Sequence, residues 1–114
     1  MKIIVAGGRD FENYQFLCTK LDFLLSKVTP VIICGEARGA DLLGKKYAQE
    51  HNIPVLSFPA NWDKYGKSAG YRRNEEMAKE ADALVAFWDG RSKGTGHMIQ
   101  TMLKLGKRVK VVRY

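Results

Sequence analysis

One event recurs along this chain and constrains its fold more than any other. A short apolar run breaks off at glycine and basic or hydroxyl residues, and a helical pattern begins. It happens in IIVAGGRDF (Ile3–Phe11), in VIICGEARGAD (Val31–Asp41) and in ALVAFWDGRSKGTGHM (Ala83–Met98). Such turns expose backbone N–H groups beside the positive N-terminal ends of helices, an arrangement suited to phosphate. Three of them in 114 residues point to a nucleotide-type ligand lying across one edge of a sheet.

The rest of the chain fits this alternation. Strands are predicted at Lys2–Ala6, Val31–Cys34, Ile53–Phe58, Ala83–Trp88 and Arg108–Val112, and helices at Asn13–Ser26, residues 40–51, Ala69–Glu80 and Thr95–Leu105. Leu17, Leu21 and Leu24 share one helical face, as do Met98, Met102 and Leu105. Core packing is the first use expected of the methionine stripe, and a subunit interface the second. Five apolar runs alternating with helices imply a parallel sheet covered on both faces. Right-handed crossovers then give a single Rossmann-like α/β domain over residues 1–114, a doubly wound five-stranded parallel sheet whose ligands bind at the carboxyl ends of the strands. The segment PANWDKYGKSAG is expected to be a functional loop.

Composition narrows the classes. No apolar run nears the ~20 residues of a membrane helix, and MKIIVAGGRD reads as a first strand rather than a signal peptide. A cytoplasmic protein without a membrane partner is expected. Cys18 and Cys34 form no CxxC pair and His51 and His97 lie far apart, so neither a metal site nor a cofactor is anticipated, and the cysteines read as buried thiols. The formal charge of +7 suits an anionic partner, a phosphorylated small molecule or nucleic acid. Lys64, Lys67, Arg72, Arg73, Arg91 and Lys93 coincide with the turns. Lys104, Lys107, Arg108, Lys110 and Arg113 read as a solvated face.

Each turn carries chemistry and a plainer alternative. Gly7 and Gly8 let backbone approach a ligand, Arg9 can pair with phosphate and Asp10 can accept from a ribose hydroxyl; a tight turn with a surface arginine accounts for them equally well. The segment Gly35–Asp41, with Arg38 and Gly39, is neither a dinucleotide fingerprint nor a Walker loop. Its Asp41 either caps a helix or meets the ligand. Arg73 and Asn74 open toward the loop, where Trp62 or Tyr65 either stack on a base or anchor the segment. Lys93, Gly94 and Thr95 offer charge, N–H groups and a hydroxyl to a phosphate. His97 is a candidate acid or base without an evident partner.

In the order GGRDF, GEARGAD, NWDKYGKSAGYRRNEEM and AFWDGRSKGTGHM, the chain resembles the small bacterial and phage YspA-like proteins of the SLOG superfamily. That resemblance implies a Rossmann-like fold, a nucleotide-derived ligand and a homo-oligomer. Relatives include the LOG phosphoribohydrolases, DprA and sensor domains of bacterial immune systems. The hydrolases carry an Arg ahead of a Met, then PGGxGTxxE. Arg73 before Met77 matches the first element and Gly94-Thr95 the GT, but Met98 stands where the catalytic Glu belongs and Asp89-Gly90-Arg91 replaces PGG. Glu36, Glu75 and Glu76 are the acids that remain to substitute, and Arg73, Glu76 and His97 are the catalytic candidates. The resulting expectation is a nucleotide-binding sensor, sequestering or processing module. LOG-like N-glycosidic or phosphoester hydrolysis is the alternative, with DprA-like nucleic-acid binding behind it.

Overall fold

The computed structural model describes all residues, Met1–Tyr114. In chain order the elements are β1 (Lys2–Gly7), α1 (Tyr14–Leu24), β2 (Val31–Cys34), α2 (Ala40–Glu50), β3 (Val55–Ser57), α3 (Trp62–Tyr65), α4 (Ala69–Glu80), β4 (Ala83–Trp88), α5 (Lys93–Lys104) and β5 (Arg108–Arg113). The five strands form one sheet in the order β3-β2-β1-β4-β5, every neighbouring pair parallel. This is the doubly wound Rossmann-like fold that the alternation of apolar runs and helices implies.

Residues two apart in a strand share a face, so each buried strand must be apolar on both. Ile3 and Val5 point to one side, with Ile32, Val85 and Phe87, and meet Leu17 and Leu21 of α1 and Tyr47 and Ala48 of α2. Ile4 and Ala6 point to the other, with Ile33, Leu84 and Ala86, and meet Met77 and Ala78 of α4 and Met98, Ile99 and Met102 of α5. The methionine stripe is therefore core. The central strand is the most apolar because neither face sees water. β5, at an edge, shows Arg108, Lys110 and Arg113 to solvent.

Local chemistry sets where elements stop. Asn13 caps α1, its side chain accepting from the Phe16 N–H at 3.1 Å. β3 is shorter than the predicted Ile53–Phe58. Pro54 has no N–H to give the ladder, and it joins only by accepting from the Ile32 N–H at 2.9 Å. The expected loop after β3 contains a helical turn, because Asn61 accepts from the Lys64 N–H at 3.1 Å and nucleates α3; a 3-10 turn at Gly66–Ser68 then leads into α4. One member of the C-terminal basic group is tied inward: Lys107 Nζ donates to the Ala78 and Lys79 carbonyls at 2.6 and 3.1 Å, closing the end of α4. Cys34 is buried and Cys18 half-buried. No helix is long and apolar enough to cross a membrane.

Candidate functional site

The chain runs from β1 outward through β2 and β3, then returns to start β4 on the other side of β1. The strand order therefore reverses between β1 and β4, the place where a parallel sheet leaves a crevice at its carboxyl edge. A cleft of about 480 Å³ opens there. Because all strands are parallel, the turns after β1, β2 and β4 leave from this same edge, with Gly7 directly beside Phe87.

The turn after β4 builds one wall. The Asp89 carboxylate accepts from the Arg91 and Ser92 N–H groups at 2.8 and 2.9 Å, which folds the turn and holds the carboxyl below its usual range. Ser92 precedes α5, yet its hydroxyl pairs with Thr95 Oγ1 at 3.1 Å instead of capping the helix. The first N–H groups of α5 thus have neither an intrahelical acceptor nor a side-chain cap. Nothing lies within 4 Å of where a Cβ on Gly94 would stand.

The turn after β2 builds the opposite wall and is filled from within. Gly39 takes φ +86°, and a Cβ there would fall 2.3 Å from the Gly8 carbonyl oxygen. That oxygen accepts from the Ala40 N–H at 3.2 Å, so α2 begins against the β1 turn. Asp41, 5% exposed, turns back and accepts from the Ala37 N–H at 3.4 Å. Burial pushes its carboxyl up to about 6, although the Arg73 guanidinium and the Ala37 and Gly7 N–H groups pull the other way.

Arg73 connects the walls. Its Nη1 donates to the Gly35 carbonyl, and its Nε donates to Asn74 Oδ1 at 3.0 Å. Gly35 admits this approach: a Cβ on it would lie 2.7 Å from Asp41 Oδ2 and 2.9 Å from Arg73 Nη1. Asn74, also 5% exposed, spends its amide on the Gly94 carbonyl and on His97 Nδ1, both at 3.2 Å. With both amide hydrogens used, it holds the arginine and the α5 turn in place rather than offering donors to the cleft. The His97 ring stacks on Tyr71 at 4.0 Å with its Nδ1 facing the Asn74 donor; burial lowers its pKa below the ordinary value.

Of the residues singled out from sequence, Gly7, Gly8, Arg9 and Asp10 line the cleft after β1, and Arg38 and Asp41 line it after β2. Trp62, Arg73 and Asn74 line it from the third segment, and Lys93, Gly94 and Thr95 from the fourth. Gly35 lines an adjoining hollow, while Gly39 acts from behind the wall. Glu75 and Glu76 sit exposed on α4 and line neither space; His97 stays behind Asn74. Met98 lies on the cleft floor at 1% exposure. Sequence reasoning passed over Tyr71, Ser92 and Asp89 as site residues, all of which line the cleft. Ser92 was findable as the hydroxyl between Gly90 and Gly94. Tyr71 was not, because only the turn of α4 aims it inward.

Five basic side chains, Arg9, Arg38, Lys67, Arg73 and Lys93, and three carboxyls, Asp10, Asp41 and Asp89, line this space. Fold and crevice together define a class: a Rossmann-like α/β protein with a basic cleft at its topological switch point. The chain belongs to the YspA, cpYpsA-related SLOG family, whose model matches residues 1–65. It is 38% identical over 113 residues to the Gene 61 protein of Mycobacterium phage D29, a match covering 92% of this chain and 90% of the phage protein. Its fold superposes on DNA processing protein A (DprA) from Streptococcus pneumoniae with a TM-score of 0.78 at 16% identity, covering 96% of this chain and 49% of DprA. DprA from Helicobacter pylori gives 0.68 at 19% identity, covering 97% and 64%. This chain thus spans about half of the first DprA chain, and at these identities the likeness is one of fold.

Proposed function

We propose that the cleft binds a nucleotide or nucleotide-derived ligand through its phosphate, as a sensing, sequestering or processing module. One observation carries the reading: the uncapped start of α5, open at Gly94, faces the same space as five basic side chains. N–H groups at a helix start attract an anion, and guanidinium groups pair with it in a forked geometry. In this reading Thr95 Oγ1 and Lys93 complete the phosphate contact, Arg73 enters from the opposite side, and Asp10, whose Oδ1 also accepts from the Tyr114 hydroxyl at 2.8 Å, accepts from a ribose hydroxyl. Membership of the SLOG family supports a ligand of this class.

Titration calorimetry with nucleoside mono- and diphosphates tests it, with released base and phosphate assayed in the same samples. Saturable binding is expected, weakened roughly 10- to 100-fold by Arg73→Ala, the scale of losing one or two hydrogen bonds to a charged group. Absence of saturable binding by any nucleotide overturns the reading. Hydrolysis is the second reading, and Asp41 favours it: this carboxyl lines the same cleft, and burial pushes it up to about 6. Turnover abolished by Asp41→Asn would establish it. The Helicobacter pylori DprA relative, described as binding single-stranded DNA, and the charge of +7 support a nucleic-acid reading. That reading requires steeply salt-dependent affinity for long oligonucleotides and little for mononucleotides.

A further inference from the structure

A second hollow, of about 520 Å³, adjoins the cleft on the β2–β3 side. Each space alone lies within the roughly 300–1,000 Å³ of a complete small-molecule site. They are not separated by a wall of core. Arg9, Ala37, Arg38, Trp62 and Arg73 line both, so the partition consists chiefly of three guanidinium groups and an indole. Arg9 and Arg38 make no side-chain hydrogen bond or ion pair within the protein. Two unpartnered arginines beside a third, half-buried one leave positive charge concentrated midway along the groove.

The far hollow has its own chemistry. Trp62, 51% exposed, lines it together with Pro59 and Ala60, apolar groups of the kind that receive a ring. Glu36 edges the hollow with φ +63°, a backbone conformation rare for a side chain of this size. The strain is locked in place. Its carboxylate accepts from Lys45 Nζ at 2.6 Å and from the Cys34 thiol at 2.9 Å, and its N–H donates to Cys34 Sγ at 3.3 Å. A strained residue so fully tied gives the second hollow one fixed edge.

We infer that the groove takes a phosphate-bridged ligand with two ring-bearing arms, its diphosphate running from the start of α5 to the Arg9–Arg38–Arg73 partition, one nucleoside arm in the cleft and a second, nucleoside-like arm in the far hollow lined by Trp62, Pro59 and Ala60. This rests on the nucleotide-binding reading and specifies its ligand class. A mononucleotide fills one lobe and leaves either the arginines or the far hollow unused. A linked pair places its bridging charge where the unpartnered cations are.

The test compares ADP with diadenosine diphosphate by calorimetry on the full chain. Diadenosine diphosphate is expected to bind at least tenfold more tightly. Ala60→Trp, which fills the far hollow, should abolish that advantage while leaving ADP affinity within about twofold. Ala60→Leu, a milder filling, should reduce the advantage, and circular dichroism confirms that both variants fold. Equal affinity of the two probes for the wild type overturns the inference but not the nucleotide reading. So does equal weakening of both probes by a folded Ala60 variant. Failure of ADP and diadenosine diphosphate alike to bind overturns both. A single-stranded oligonucleotide that outcompetes diadenosine diphosphate, with a steep salt dependence, replaces the two-armed small molecule with a polynucleotide.

Discussion

Two helices begin at the same edge of the sheet, and they begin differently. α2 starts on Gly39 with its first N–H held by the Gly8 carbonyl, its first-turn acid folded back onto Ala37, and Arg73 packed beside it. α5 starts on Ser92 with no side-chain cap and open space around Gly94. In sequence the two turns look alike, each a glycine-rich run ahead of a helix. In space one is completed by the protein's own groups, while the other leaves its first N–H groups without a side-chain cap. A glycine-rich turn is therefore evidence of a tight connection; only what occupies the space beyond its N–H groups makes it evidence of a ligand.

The sharpest way to break this contrast is to add the same methyl group to both. Gly39→Ala forces an L residue to φ +86° and sets a Cβ 2.3 Å from the Gly8 carbonyl. A loss of about 3 kcal/mol or more, or failure to fold, is expected in urea denaturation. Gly94→Ala meets nothing within 4 Å and lies in the first turn of a helix. Its stability should change by less than about 1 kcal/mol, in the favourable direction, because alanine is the better helix former. Equal destabilisation by the two substitutions would erase the distinction between a filled and an open turn.

The next effect concerns the acid that fills the α2 side. Asp41 is raised from 3.8 to about 6 by burial, so the folded protein holds this proton over a pH range where the unfolded chain has released it. Stability from this group is fully present below pH ~4 and is lost as pH rises through 6. Asp41→Asn removes that loss and should stabilise the protein by between about 1 and 3 kcal/mol at pH 8, two pKa units being the upper bound. The gain should vanish near pH 4. A melting series across pH measures it, and a variant that is less stable than wild type at pH 8 would show that Asp41 is a paired anion rather than a strained one.

The fold was legible because its signals are local and repeated: two-sided apolar strands, caps such as Asn13, and the run of Met98 and Met102. The gathering of the turns was legible too, once all strands were taken as parallel. Other features depend on contacts across the chain and leave no local trace. Asn74 reads in sequence as a polar residue available to a ligand, yet its amide is consumed by Gly94 and His97, residues 20 and 23 positions away. Gly35 reads as part of a phosphate loop, yet its missing side chain makes room for Arg73 and Asp41. Pro54 trimmed β3 by a rule visible in sequence, whereas the helical turn inside the expected loop turned on the single cap supplied by Asn61.

The smallest expected effect lies behind the open turn. His97 Nδ1 faces the Asn74 amide at 3.2 Å, so in this geometry the nitrogen accepts and the ring is neutral. Burial lowers its pKa below 6.5, with Lys104 adding to the shift and Glu75 opposing it. The unfolded chain therefore takes up this proton first as pH falls. The stabilising contribution is present above pH ~6.5 and is lost as pH falls through the lower folded value, opposite in sense to that of Asp41. Protonating Nδ1 sets a second donor against the Asn74 amide, and Asn74 holds both the Gly94 carbonyl and Arg73 Nε. Proton NMR should find the His97 ring titrating below pH 6.5, with the Asn74 side-chain amide and Gly94 resonances moving along the same curve. In an Asp41→Asn background, where the opposing titration is gone, His97→Gln should lessen the loss of stability as pH falls below 6.5. A His97 midpoint above 6.5, or Asn74 signals indifferent to it, would disconnect the open turn from the histidine behind it.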